Sequence, residues 1–134
     1  MVKMSAVYTG DKHCDLTHEP SGSQLETDAP KDNQGKGERF SPTDLIGASL
    51  ASCILTTMAI VAERDGVSLK GARIEATKEM NAQPRRIAHL SLRVAMPHSI
   101  PLEYRSKLEN AAELCPVKKS LHPDVKISLN FEYA

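Results

Sequence analysis

A chain of 134 residues is long enough to bury a core in one domain, and it needs no disulfide to do so. Its 17 basic and 17 acidic side chains balance, Trp is absent, and only 4% of the residues are aromatic. That composition argues against a basic surface that tracks phosphates and against a base-stacking platform, so nucleic acid is not an expected partner. The first residues, MVKMSAVYTGDKHC, contain no apolar signal-peptide core, and three cysteines are too few for a secreted disulfide framework. A single domain over 1–134 in a reducing, cytoplasmic compartment is the expectation.

In chain order, Val2 to Thr9, His13 to Thr17 and Ser23 to Thr27 are three short segments separated by turn-forming residues, and they predict an antiparallel meander. Asp28 to Arg39 is polar, aperiodic and broken by Pro30, Gly35 and Gly37, which predicts a mobile loop. Ser41 then reads as an N-cap, Pro42 as the first helical residue, and Asp44 as the distal member of a capping box. The helix so begun runs to Gly66 and contains Leu45 to Ala62 without a charge. Flanking charges at Asp44 and at Glu63-Arg64-Asp65, and the lack of an aromatic belt, favour a buried core helix over a membrane span. Its small residues Gly47, Ala48, Ser49, Ala51 and Ser52 suggest close approach of a second copy, and hence a homodimer.

Beyond the helix, Leu69 to Met80 and Arg86 to Met96 predict two long strands, the second with Ala88, Leu90, Leu92, Val94 and Met96 alternating with Ile87, His89, Ser91, Arg93 and Ala95. Pro101 to Leu114 predicts a helix, Cys115-Pro116 opens a shorter one, and Val125 to Tyr133 closes as a strand. The order βββ-α-ββ-αα-β is that of an α+β protein.

The chemistry rests on cysteine. Cys53 lies within the uncharged helix, where on local sequence alone it reads as an inert core residue, because burial disfavours the thiolate that does cysteine chemistry. Cys115 stands at a helix start, where backbone amides favour negative charge, although a capping role fits equally. Cys14 lies in a strand with no evident activator. His13, Cys14 and His18 are not a zinc motif, since alternation sends His13 and Cys14 to opposite faces, and neither a metal nor a nucleotide loop is expected. Arg39 is the only arginine N-terminal to Cys53, and Glu38 is placed to orient it as a salt-bridge partner, though both also fit a solvated loop.

The run from Gly35 to Cys53, GKGERFSPTDLIGASLASC, resembles the loop and central helix of the OsmC/Ohr superfamily, osmotically induced and organic-hydroperoxide-resistance proteins. Cys115-Pro116-Val117 resembles the motif that carries the family's second cysteine, and the element order agrees over nearly the whole chain. The resemblance implies an intertwined homodimer in which antiparallel sheets wrap two long central helices. It also implies a cysteine-based peroxidase for organic hydroperoxides, with Cys53 as peroxidatic and Cys115 as resolving thiol, an external dithiol as reductant, and no metal or bound cofactor. An arginine and a glutamate activate the family's thiolate; Arg39 is the local candidate for the first. The family's glutamate follows the helix-start proline, where this chain has Thr43 and then Asp44. The alternative reading is a noncatalytic dimer of the same fold that binds a small hydrophobic or thiol-containing molecule in its interfacial cleft.

Overall fold

The computed structural model describes residues 1–133, and these divide into two compact units, Met1–Ile46 and Gly47 onward. In the first unit, β1 (Met4–Gly10), β2 (His13–His18) and β3 (Ser23–Asp28) form an antiparallel sheet in the order β1-β2-β3. The sheet brings Met4, Ala6, Tyr8, Leu16 and Leu25 into register on one face, because their partners across the ladder share the same parity. Met4, Val7, Tyr8 and Leu25 are nevertheless exposed, and among the described residues of this unit the buried ones are Thr27, Asp28 and Ser41, none of them apolar.

The polar stretch after β3 is more ordered than its composition suggests, because Asp28 organises it. This buried carboxylate accepts the Glu38 amide at 3.0 Å, while the Asp28 amide donates to the Phe40 carbonyl and the Gly37 amide to that of Ala29. A 3-10 turn spans Lys31–Asn33. At Gly35 a Cβ would lie 1.7 Å from the Ala29 carbonyl oxygen, so only glycine fits this close approach.

The second unit is built on the remaining three strands, β4 (Arg73–Ala82), β5 (Arg85–Met96) and β6 (Lys126–Tyr133). β4 pairs antiparallel with β5, but β6 pairs parallel with β5, so this sheet is mixed where antiparallel pairing was expected. The reason is the connection: α2 (Arg105–Glu113) and α3 (Pro116–Ser120) intervene between β5 and β6, and a helical crossover returns the chain in the same direction. α2 is shorter than its sequence pattern predicts, since the chain enters it through a 3-10 turn at Leu102–Tyr104. β4 likewise starts late, at Arg73, because Gly71 adopts φ 93° and breaks the extended run.

α1 (Pro42–Arg64) begins as its sequence predicts. The Ser41 amide donates to Asp44 Oδ2 at 2.9 Å and the Asp44 amide donates to Ser41 Oγ at 3.0 Å, a reciprocal capping box. By length and composition alone α1 could cross a membrane, yet Gly47, Leu50, Ile54, Met58 and Ala62 form a stripe buried in the core. That core continues through Leu90, Leu92, Val94 and Met96 of β5 and Leu108, Ala111, Ala112 and Cys115 of the crossover. The opposite stripe, Ile46, Ser49, Ser52, Thr56 and Ile60, is exposed. The small residues Gly47 to Ser52 therefore do not share a face: successive helical positions turn by about 100°, which buries Gly47 and exposes Ser49 and Ser52. Near its C-terminal end α1 is tied down by Tyr104, whose hydroxyl donates to Asp65 Oδ2 at 2.6 Å, and by Lys107, which pairs with the same oxygen at 2.6 Å.

The Asp28 carboxyl is held below its ordinary value, chiefly by the Glu38 amide and against the opposing effect of burial, with a further contribution from His13 at 3.7 Å. A depressed folded-state pKa contributes stability that is present above the unfolded value, about pH 4, and is lost as the pH falls through the folded one. Asp28→Asn should therefore flatten the loss of stability in acid, read as a smaller change of urea midpoint between neutral pH and about pH 3 than in the wild type. An identical acid profile in the two proteins would show that this carboxylate does not contribute.

Candidate active site

The second unit brings Cys53 and Cys115 together. Cys53 is carried on α1 one position before the buried Ile54, which leaves its thiol half-buried. Cys115 is the N-cap of α3, with Pro116 at the first helical position, and it is completely buried. Pro116 suits that position because the first amide of a helix has no intrahelical partner. The next amides, those of Val117 and Lys118, are directed at the sulfur pair.

The two thiols are displaced in opposite directions. For Cys53, burial is the largest single influence and pushes the thiol up. Hydrogen bonding from the Cys115 side chain, the Val117 amide and the Thr57 hydroxyl together outweighs it, so Cys53 ionises more readily than an ordinary cysteine. For Cys115, burial again pushes up, and the adjoining Cys53 sulfur pushes the same way, with only partial relief from the Lys118 and Val117 amides. Cys53 is thus the member of the pair whose surroundings favour the thiolate, and Cys115 the one whose burial favours the thiol. Both sulfurs, and Cys14, are free thiols.

Thr57 was not evident from composition as a site residue. Its Oγ1 lies 3.9 Å from Cys53 Sγ. The available signal was spacing, since residues four apart on a helix are neighbours on its surface. The Val117 amide could not be read from side-chain chemistry at all.

The other two candidates, Glu38 and Arg39, lie in the first unit. Arg39 Nε donates to Glu26 Oε2 at 2.8 Å and Nη1 donates to the Glu38 carbonyl at 2.9 Å, and this partnership with Glu26 raises the guanidinium pKa. Glu26 supplies the direct carboxylate partner that sequence reasoning assigned to Glu38. The Glu38 side chain is instead 4.0 Å from Lys36. The Arg39–Glu26 pair is about half exposed on both sides, so it orients the guanidinium without adding much stability. Cys14 pairs across the meander with Tyr8 and Thr27. Among the described residues, no group of three His, Cys, Asp or Glu side chains is arranged to hold a metal ion.

A protein from Psychrobacter arcticus, named for osmotic stress induction and a detoxification response, shares 39% identity with this chain over 98% of it and 96% of the other, with a TM-score of 0.93. An organic hydroperoxide resistance protein of Legionella pneumophila superposes with a TM-score of 0.77 at 20% identity, covering 98% of this chain and 96% of its own. The organic hydroperoxide resistance protein OhrB of Bacillus subtilis does so with a TM-score of 0.70 at 19% identity, covering 98% of each chain. At these lower identities the likeness is one of fold. No curated protein matches the chain. The family model for OsmC-like proteins matches residues 35–130, which include both Cys53 and Cys115. By that match and by the sequence shared with the Psychrobacter protein, the chain belongs to the OsmC-like family of the OsmC/Ohr superfamily.

Proposed function

We propose that the protein is a thiol-dependent peroxidase that reduces organic hydroperoxides through Cys53 and Cys115. The observation that carries this reading is the meeting of two free thiols, Cys53 half-buried on α1 and Cys115 enclosed as the cap of α3, with the Thr57 hydroxyl 3.9 Å from the Cys53 sulfur. The Cys53 thiolate attacks the peroxide: an S–O bond forms, the O–O bond breaks, and two electrons pass from sulfur to the peroxide. The departing alkoxide takes a proton and leaves as the alcohol. Cys115 then attacks the sulfenic sulfur, the S–S bond forms, and the hydroxyl leaves with the Cys115 proton as water. An external dithiol restores both thiols by two exchanges and is itself oxidised to a disulfide. No metal or bound organic cofactor enters the cycle, and a reducing cytoplasm suits three free thiols.

Arg39 is assigned the supporting positive charge in this reading, with Glu38 beside it and Glu26 orienting it. A homodimer is part of the proposal as well. It is supported by the exposed Ile46 and Ile60 on α1 and by a three-stranded unit that buries no apolar side chain, because so small a sheet is not stable until an apolar face is covered.

Cumene hydroperoxide should be reduced to its alcohol by the wild type and not by Cys53→Ser, and Cys115→Ser should reduce one equivalent and stop with Cys53 as the sulfenic acid. Peptide mapping after limited oxidation should find a Cys53–Cys115 disulfide with Cys14 free. Undiminished turnover in Cys53→Ser, or Cys14 in the main disulfide, would defeat the assignment, and a protein inert toward peroxide would leave the noncatalytic binding alternative. Arg39→Ala should slow peroxide consumption at neutral pH, whereas a rate equal to wild type removes Arg39 from the mechanism. Sedimentation should give a dimer, and a stable folded monomer at micromolar concentration would refute that part of the proposal.

A further inference from the structure

One helical turn after Cys53, the Thr57 hydroxyl approaches its sulfur at 3.9 Å, within hydrogen-bonding reach of an atom as large as sulfur. Helical side chains lean toward the N-terminus, so residue i+4 covers residue i. The exposed Thr56 and the buried Met58 on either side fix the rotation of α1, and they leave Thr57 half-buried alongside the thiol. Three donors act on Cys53, and all are formally neutral: the Cys115 side chain, the Val117 amide and Thr57. Two of them belong to α3 and its cap, whereas Thr57 shares a rigid helix with Cys53 and keeps its place relative to the sulfur whatever α3 does.

We propose that Thr57 is a positioning residue for the Cys53 nucleophile: its hydroxyl donates to the thiolate and holds the sulfur in one orientation. The competing arrangement is local, since a threonine within a helix can instead return its hydroxyl to the carbonyl four residues back, which here is that of Cys53 itself. In that case the hydroxyl would leave the sulfur unaffected. The proposal deepens the peroxidase reading but does not need peroxide to be tested.

Full-length wild type, Thr57→Val and Thr57→Ser would be alkylated with iodoacetamide across a pH series, with modification of Cys53 assigned by peptide mass spectrometry. Valine keeps the branched shape and removes the hydroxyl. The Cys53 midpoint should rise by about half a pH unit in Thr57→Val, leaving roughly threefold less thiolate below the midpoint, and should stay near wild type in Thr57→Ser. Added salt should leave the size of this difference unchanged, because a neutral donor is not screened as an ion pair is. Equal midpoints in wild type and Thr57→Val would overturn the proposal, as would an equal shift in Thr57→Ser, which would make shape rather than the hydroxyl responsible. If valine disrupts the helix by circular dichroism, Thr57→Ala against Thr57→Ser makes the same comparison with the same deciding outcomes. A normal alkylation shift in a protein that does not consume cumene hydroperoxide would refute the peroxidase reading and leave the role of Thr57 intact.

Discussion

The rotation of α1 about its own axis governs the sulfur chemistry. Gly47, Leu50, Ile54, Met58 and Ala62 seat the helix in the core, and the 100° step between neighbours then sets Cys53 on the shoulder between this buried stripe and the exposed one through Ser52 and Thr56. At the centre of the buried stripe the thiol would be raised by desolvation and closed to reagents. On the exposed stripe its hydrogen bonds would compete with water. The shoulder is where a hydrogen bond to sulfur gains strength from partial exclusion of water while the residue is not fully enclosed. The apolar residues of the buried stripe thus determine how far the Cys53 thiol is enclosed.

The crossover from β5 to β6 supplies the other half of the arrangement. Because β6 lies parallel to β5, the chain must travel back across the sheet, and α2 and α3 are that return. Leu108, Ala111 and Ala112 bury the return in the same core as the α1 stripe, and Cys115 follows directly as the cap of α3. A topological requirement of the sheet therefore delivers both the second sulfur and a turn of amides to the first.

The capping box at Ser41 and Asp44 was legible, because it depends on residue types at fixed local spacing. The alternation of β5 was legible for the same reason from His89 to Met96, but not at its start, where Ile87 is buried and Ala88 is not, beside the register shift at Glu79/Met80. Strand direction was not, since the sequence of β6 pairs equally well either way until the path of the crossover is known. Nor was the face of α1: when nearly every residue from Leu45 to Ala62 is small or apolar, periodicity carries little information about which side is covered. At the site, the two cysteines stood out by type, but their asymmetry comes from Val117 and Lys118 amides, which any residue provides. Glu26 escaped notice as the partner of Arg39 because strand pairing, not proximity in sequence, brings it there.

The unequal enclosure of the two sulfurs bears on how a bond between them could be undone. Cys115 has no exposed surface, whereas Cys53 is partly open. In the proposed cycle a disulfide with one inaccessible end would offer an incoming thiolate a single electrophile, so the mixed disulfide would form on Cys53 and Cys115 would depart. The departing sulfur is the one that holds its proton more firmly, which makes it the poorer leaving group, and the α3 amides are what eases its departure. In the proposed cycle the reductant would therefore meet the bond at Cys53, on the half-buried shoulder of α1, and not at the enclosed cap of α3.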